Sequence, residues 1–206
     1  LIEETKMNLQ TTTNDNSSTA IKSGLIVLMI PALVMWIVEG ADQLLFQGSL
    51  DQSGIHPRTA EGLLGIFYSP FLHAGFMHLV ANTVPFLVLG GFVMLRGIGR
   101  FVAVSFIVLI LGGFGTWLIG KSDTVHVGAS GVIFGYLGYL IGAAVFERSF
   151  VAIVLALIGG GLYGGILFGV LPGQIGISWE GHLFGFVGGV VAAKLFTRKT
   201  VQIQKQ

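Results

Sequence analysis

Residues 128 to 146 read GASGVIFGYLGYLIGAAVF, a run with no formal charge until Glu147. About 20 apolar residues of helix cross the roughly 30 Å hydrocarbon core of a bilayer, so this stretch reads as a membrane span. Ser130 stands at its head. A second apolar run near the end of the chain carries His182 at its head. Ionisable side chains are costly to keep inside a membrane and are functional candidates there by default. Ser130 and His182 therefore form a candidate nucleophile and base within a bilayer.

Composition supports that reading. The 206 residues are 53% hydrophobic and 10% charged, with 32 glycines. A soluble domain carries about 25% charged residues, so the shortage points to an all-α protein that crosses the membrane several times. The net charge of +1 gives no reason to expect a nucleic-acid partner. The absence of cysteine excludes disulfides, a cysteine nucleophile and thiolate metal ligands. The chain begins at Leu1 rather than Met, which leaves the length of the native N-terminus open. Residues 8–19, rich in Thr, Asn and Ser, bury too little to fold alone and are expected to form a flexible tail. The first apolar run follows Lys22 without a small-residue cleavage pattern, so no cleavable signal is expected.

Six spans are predicted: about Gly24 to Leu45, Phe76 to Leu95, Phe101 to Ile119, Ser130 to Phe146, Phe150 to Leu171 and Trp179 to Phe196. Pro172-Gly173 stops the fifth. The expected organisation is an N-terminal cytoplasmic tail (1–22), one membrane domain (23–197) and a basic cytoplasmic tail (198–206). Basic residues set the orientation. With both termini cytoplasmic, Lys6, Lys22, Arg96, Arg100, Arg148, Lys194, Arg198, Lys199 and Lys205 lie inside, and only Arg58 and Lys121 outside. Ser130 and His182 then both enter from the outer side at similar depth. The segment from Gln47 to Gly75 is too long for a simple turn. Its portion GLLGIFYSPFL (62–72) is apolar but too short to span, which predicts an interfacial or re-entrant element in a long first outer loop.

Taken singly, each chemical feature has a structural alternative. A small-residue tetrapeptide such as GASG usually serves close helix packing. It is not the nucleophile elbow of soluble hydrolases, because Val132 stands where that pattern needs Gly. His182 on its own can simply bond across helices. Gly131, Gly135 and Gly138 after Ser130, and Gly185 and Gly189 after His182, allow the two helices to approach until serine and imidazole meet. An imidazole in reach of a hydroxyl can remove its proton. His78 and Asn82 are four apart and share one face of the second span. With the Ser130 N–H at a helix start, they offer donors for the oxyanion of acyl transfer.

The ordered set HAGFMHLVAN (73–82), GASGVIFG (128–135) and GHLFGFVGG (181–189), on spans two, four and six, resembles the rhomboid family of intramembrane serine proteases. The resemblance covers about residues 23–197. It implies a six-transmembrane-helix bundle with a water-filled cavity open to the outside and a long, partly membrane-embedded first outer loop. It also implies cleavage of membrane-protein substrates in or near a transmembrane segment, with no cofactor. By motif position Ser130 is the nucleophile, His182 the general base, and His78, Asn82 and the Ser130 amide the oxyanion hole. Gly128 fits the loop that enters the nucleophile helix. Phe134 falls where the family often has a tyrosine stacked on the catalytic histidine. The family's Trp-Arg pair in the first outer loop is replaced by Ile55-His56-Pro57-Arg58, so no role carries over to Arg58.

Other polar groups are expected to be less eventful. His126 reads as a polar residue at a wet helix entrance, Asp123 as solvated, and Glu39 and Asp42 as charges at an outer helix end. Glu180 points away from His182 on a helix. No His-Glu-x-x-His occurs, which argues against a zinc protease, and no metal site is expected. The glycine-rich IGGGLYGG (158–165) predicts a flexible fifth span. A non-cutting rhomboid-like protein that binds membrane helices, and a small transporter using His78, Asn82 and His182, are the competing functions. The expected setting is the plasma membrane, with lipid as the surroundings and the oligomeric state open.

Overall fold

The computed structural model describes residues 2–174 and 176–197, with side chains described from residue 19 onward. Helix α1 spans Ile2–Ala41, α2 Ala60–Tyr68, α3 Phe76–Met94, α4 Ile98–Ile119, α5 Ser130–Glu147, α6 Phe150–Tyr163 and α7 Trp179–Phe196. Five segments are long and apolar enough to cross a membrane: Thr19–Phe46, Phe76–Met94, Ile98–Ile119, Ser130–Glu147 and Phe150–Val170. Helix α7 forms where a sixth span is predicted. Its Glu180, His182 and Lys194 keep it below the apolarity that marks a span by composition alone.

Two boundaries differ from expectation. The Thr- and Asn-rich segment expected as a flexible tail continues α1 as helix. Extending an existing helix adds one hydrogen bond per residue fixed, whereas nucleating one is costly, so a polar segment joined to a strong helix can follow it. The basic tail expected at 198–206 lies outside the described residues. The fifth predicted span is α6 followed by a 3-10 segment, Gly164–Val170, rather than one continuous α-helix.

The connection between α1 and α3 is folded back onto the bundle. A π-helical turn, Asp42–Phe46, and a 3-10 turn, Ser49–Ser53, follow α1. Thr59 caps α2 by accepting from Gly62 N at 3.0 Å. Ile55 and His126 exchange backbone hydrogen bonds of 3.0 Å in both directions. Arg58 reaches the end of α4, donating from Nη1 to the Leu118 carbonyl at 3.0 Å, and Trp117 Nε1 donates to Thr59 O at 2.8 Å. Arg58 thus ties this connection to α4, a role its sequence context did not reveal. Glu39 and Asp42, expected at an outer helix end where charge is tolerable, are buried. The connection covers them, and Asp42 Oδ1 accepts from Leu50 N at 2.9 Å.

Helix α5 is the centre of the bundle. Tyr136, Leu137, Tyr139 and Leu140 on successive faces are all fully buried. Leu157 and Leu162 on α6 and Phe106 on α4 stay exposed, as expected for surfaces that face lipid tails. Lipid tails are as apolar as leucine, so helix association here depends on close packing and hydrogen bonds. Glycines supply the close packing. Gly131 and Gly185, Gly135 and Gly189, and Gly138 and Phe186 bring the α5 and α7 backbones into direct contact. Gly112 of α4 meets the same surface, its side-chain position lying 3.3 Å from Gly185 Cα. At the opposite end of α5 from Ser130, Glu147 pairs with Arg96, and Arg100 bonds the Tyr139 hydroxyl at 3.1 Å and lies over the Phe196 ring at 4.9 Å.

Gly185→Val is expected to force α5 and α7 apart and lower stability by about 1–3 kcal/mol or more. Gly160→Ala on α6, where a Cβ meets nothing within 4 Å, is expected to change it little. Thermal unfolding of the purified variants in detergent checks this; equal melting temperatures would refute the close-packing account.

Candidate active site

The loop into α5 is shaped by Gly128. Its φ of +110° is one that side chains rarely adopt, and a Cβ there would lie 2.7 Å from the His78 ring. Gly128 N donates to Ser69 O at 2.8 Å, so the turn after α2 fixes the start of the loop. Ala129 N donates to His73 Nε2 at 3.5 Å. Helix α5 then begins at Ser130 with no side-chain cap. The first N–H groups of a helix have no partner within it and carry the positive end of its dipole. Ser130 thus sits among backbone donors.

His182 lies one turn into α7 and is buried. Its ring is stacked on Phe134 with centroids 4.0 Å apart and planes 8° from parallel. Its Nδ1 is 2.9 Å from the Gly169 carbonyl and its Nε2 is 2.8 Å from Ser130 Oγ. A carbonyl only accepts, so Nδ1 carries the proton in this contact. A neutral imidazole then presents its Nε2 lone pair to Ser130, whose hydroxyl donates. That arrangement is the one in which an imidazole can take a proton from a serine.

His78 and Asn82 on α3 converge on the same loop. His78 Nδ1 accepts from Ala74 N at 3.3 Å, which leaves Nε2 as the donor of the neutral ring. His78 Nε2 and Asn82 Nδ2 lie 2.8 and 3.7 Å from the side-chain position of Gly128. Asn82 Nδ2 gives one proton to the His78 carbonyl at 3.0 Å and retains a second. Two side-chain donors therefore stand beside the residue that precedes the serine turn.

Beside Ser130, on the α4 side, a cavity of about 40 Å³ is lined by Ser130, Gly131, His126, Ser178 and Thr116 among others. It is large enough to hold water. His126 spans its wall, with Nδ1 2.7 Å from Ser178 Oγ and Nε2 2.9 Å from Thr124 Oγ1. Burial holds the His126 imidazole below its ordinary range, and the nearby Glu180 carboxylate opposes the shift. Asp123 is exposed, 3.4 Å from Lys121. No group of three or more His, Asp or Glu side chains among the described residues is arranged to hold a metal ion.

The structure brings together Ser130, His182, Phe134, Gly128, His78 and Asn82, and places Gly131 and Gly185 at the helix contact that seats them. Two participants were not singled out from sequence. His73 is fully buried, edge-on to His78 with centroids 5.1 Å apart, and burial with His78 beside it lowers its pKa to about 4. Its signal was present in the motif that begins with it. Gly169 acts through its backbone carbonyl, for which residue type gives no signal.

The Rhomboid domain model matches residues 60–199. An uncharacterised Mycobacterium bovis protein is 48% identical over 183 residues, covering 84% of this chain and 75% of its own length. An uncharacterised Mycobacterium leprae protein is 44% identical over 188 residues, covering 86% and 74%. A Bacillus subtilis protein named as a candidate rhomboid protease is 33% identical over 136 residues, covering 62% and 64%. The domain match takes in more than half of the chain, together with every residue gathered around Ser130 and His182, and the chain belongs to the rhomboid family.

Proposed function

We propose that this chain is an intramembrane serine endopeptidase that cuts transmembrane segments of membrane proteins through a Ser130–His182 dyad. The observation that carries the reading is the 2.8 Å contact between His182 Nε2 and Ser130 Oγ, with Nδ1 engaged at Gly169. Ser130 Oγ attacks the scissile carbonyl carbon while its proton passes to His182 Nε2. The oxyanion meets the Ser130 N–H, the free Asn82 amide proton and His78 Nε2–H. The tetrahedral intermediate collapses, and the His182 imidazolium gives its proton to the leaving amine. Water, deprotonated by His182, then hydrolyses the Ser130 ester and restores the enzyme. The chemistry requires no cofactor.

A helical substrate hides its carbonyls in its own hydrogen bonds, so a cleavable segment must unwind locally. Residues that weaken helices near the outer end of the segment are the preference this implies. In this reading α7 is a sixth span whose Glu180 and His182 turn inward, both buried, while Lys194 is exposed near its other end. Both termini are cytoplasmic, following the basic residues, and the site opens to the outside.

Reconstituted with a panel of single-span substrates, the protein is expected to cut at least one. Ser130→Ala and His182→Ala should each lower kcat by at least about a thousandfold with melting temperature retained. Undiminished cleavage by Ser130→Ala would sink the assignment. Asn82→Ala should lower kcat by about a hundredfold.

A pH effect follows from His73. Its pKa is about 4 in the folded protein against an ordinary 6.5, so the unfolded chain takes up the proton first on acidification. Its contribution to stability is present above pH 6.5 and is lost as pH falls from 6.5 towards 4. The melting temperature of the wild type should drop over that range more than that of His73→Gln; parallel curves would contradict this.

A further inference from the structure

Serine hydrolases that use a triad hold the catalytic imidazole with a carboxylate on Nδ1. Here Nδ1 meets the carbonyl of Gly169 at 2.9 Å, and Glu180, the acid nearest in sequence, has no hydrogen bond to it. Gly169 lies in the 3-10 segment that extends α6. The neighbouring carbonyls of that segment have other partners. Gln174 Nε2 donates to Phe168 O at 2.7 Å and to Leu171 O at 3.3 Å, and Leu171 N donates to Phe168 O at 3.1 Å. Gln174 thereby closes the turn from outside, while the Gly169 carbonyl faces inward to His182.

The fit around Gly169 is specific. A Cβ there would lie 2.8 Å from His182 Nδ1 and 3.1 Å from Phe134 Cζ. The imidazole therefore occupies a slot between the Phe134 ring and bare backbone. Gly160, Gly161, Gly164 and Gly165, on the same helix and its extension, would meet nothing within 4 Å. Crowding is not a general property of this glycine-rich stretch.

The geometry points to the Gly169 carbonyl as the positioning group for the general base: it holds the proton on Nδ1 and aims the Nε2 lone pair at Ser130. It occupies the place that a carboxylate takes in a triad. Because α6 carries it, the seating of the α6 extension against α7 sets whether His182 is aligned. This inference rests on the Ser130–His182 reading of the site.

The test uses the full chain in proteoliposomes with a single-span substrate that it cuts. Gly169→Ala is expected to lower kcat by about a hundredfold with KM within about twofold, since misplacing a catalytic group by about 1 Å has that effect. Gly165→Ala should match the wild type. A third variant replaces Val170 by its α-hydroxy analogue, turning the Gly169 carbonyl into an ester. This weakens the acceptor without adding an atom near His182, and is expected to lower kcat about tenfold through loss of roughly one hydrogen bond. It decides the matter if Gly169→Ala fails to fold. Nitrogen-15 histidine spectra should show His182 protonated at Nδ1 in the wild type and a mixture of tautomers in the ester variant. Wild-type kcat in the ester variant, or a wild-type His182 protonated at Nε2, would overturn the inference. The spectra require no turnover. An Nδ1-protonated His182 in a chain that cuts no substrate would overturn the protease reading, and with it the general-base role, and leave only the Gly169 carbonyl's hold on the tautomer.

Discussion

The contact on which the rest depends is the backbone-to-backbone seam between α5 and α7. Gly131, Gly135 and Gly138 on one helix face Gly185, Phe186 and Gly189 on the other. A hydroxyl and an imidazole, one at the head of each helix, are short side chains. They reach each other at 2.8 Å only because the helix axes are close enough for backbone atoms to touch. In a lipid surround that closeness has to come from shape, since apolar burial between helices gains little over burial in acyl chains. The glycines of this seam therefore set the Ser130–His182 contact.

A second level of control is exercised by backbone groups. The Gly128 turn has no room for a side chain because the His78 ring occupies the space. His73 accepts from Ala129 N and shapes the loop from beneath. The Gly169 carbonyl engages the far nitrogen of His182. The network of Arg96, Arg100 and Glu147 lies at the other end of α5 from Ser130. Ser130 and His182 are held by hydrogen bonds and a ring stack rather than by an ion pair.

Much of the bundle was legible in the sequence because membrane spans announce themselves by length and apolarity. Expected and observed limits agree to within a few residues for α3, α4 and α5; the limits of α7 agree as a helix, although length and apolarity alone do not mark it as a span. The 2.8 Å approach of Ser130 and His182 was also legible, through the glycine spacing on the two helices that carry them. The connection between α1 and α3 was readable only as a short apolar element. Its anchoring by Arg58 to the Leu118 carbonyl, and by Ile55 to His126, links residues about 60 to 70 positions apart through backbone atoms. Such partners have no residue-type signature. The same holds for Gly169, which sequence presents as one glycine among many. The helical continuation of α1 through a Thr- and Asn-rich segment runs against composition, because propensity is a weak guide where a strong helix is already nucleated.

The central claim is that Ser130 is a nucleophile activated by His182 within the membrane domain. Covalent labelling of the reconstituted protein with a fluorophosphonate, located by peptide mass spectrometry, tests it most directly. The account predicts one modified residue, Ser130, with the modification lost in His182→Ala while that variant keeps its fold. Labelling that is absent from the folded wild type, falls on another serine, or proceeds equally in His182→Ala would contradict it.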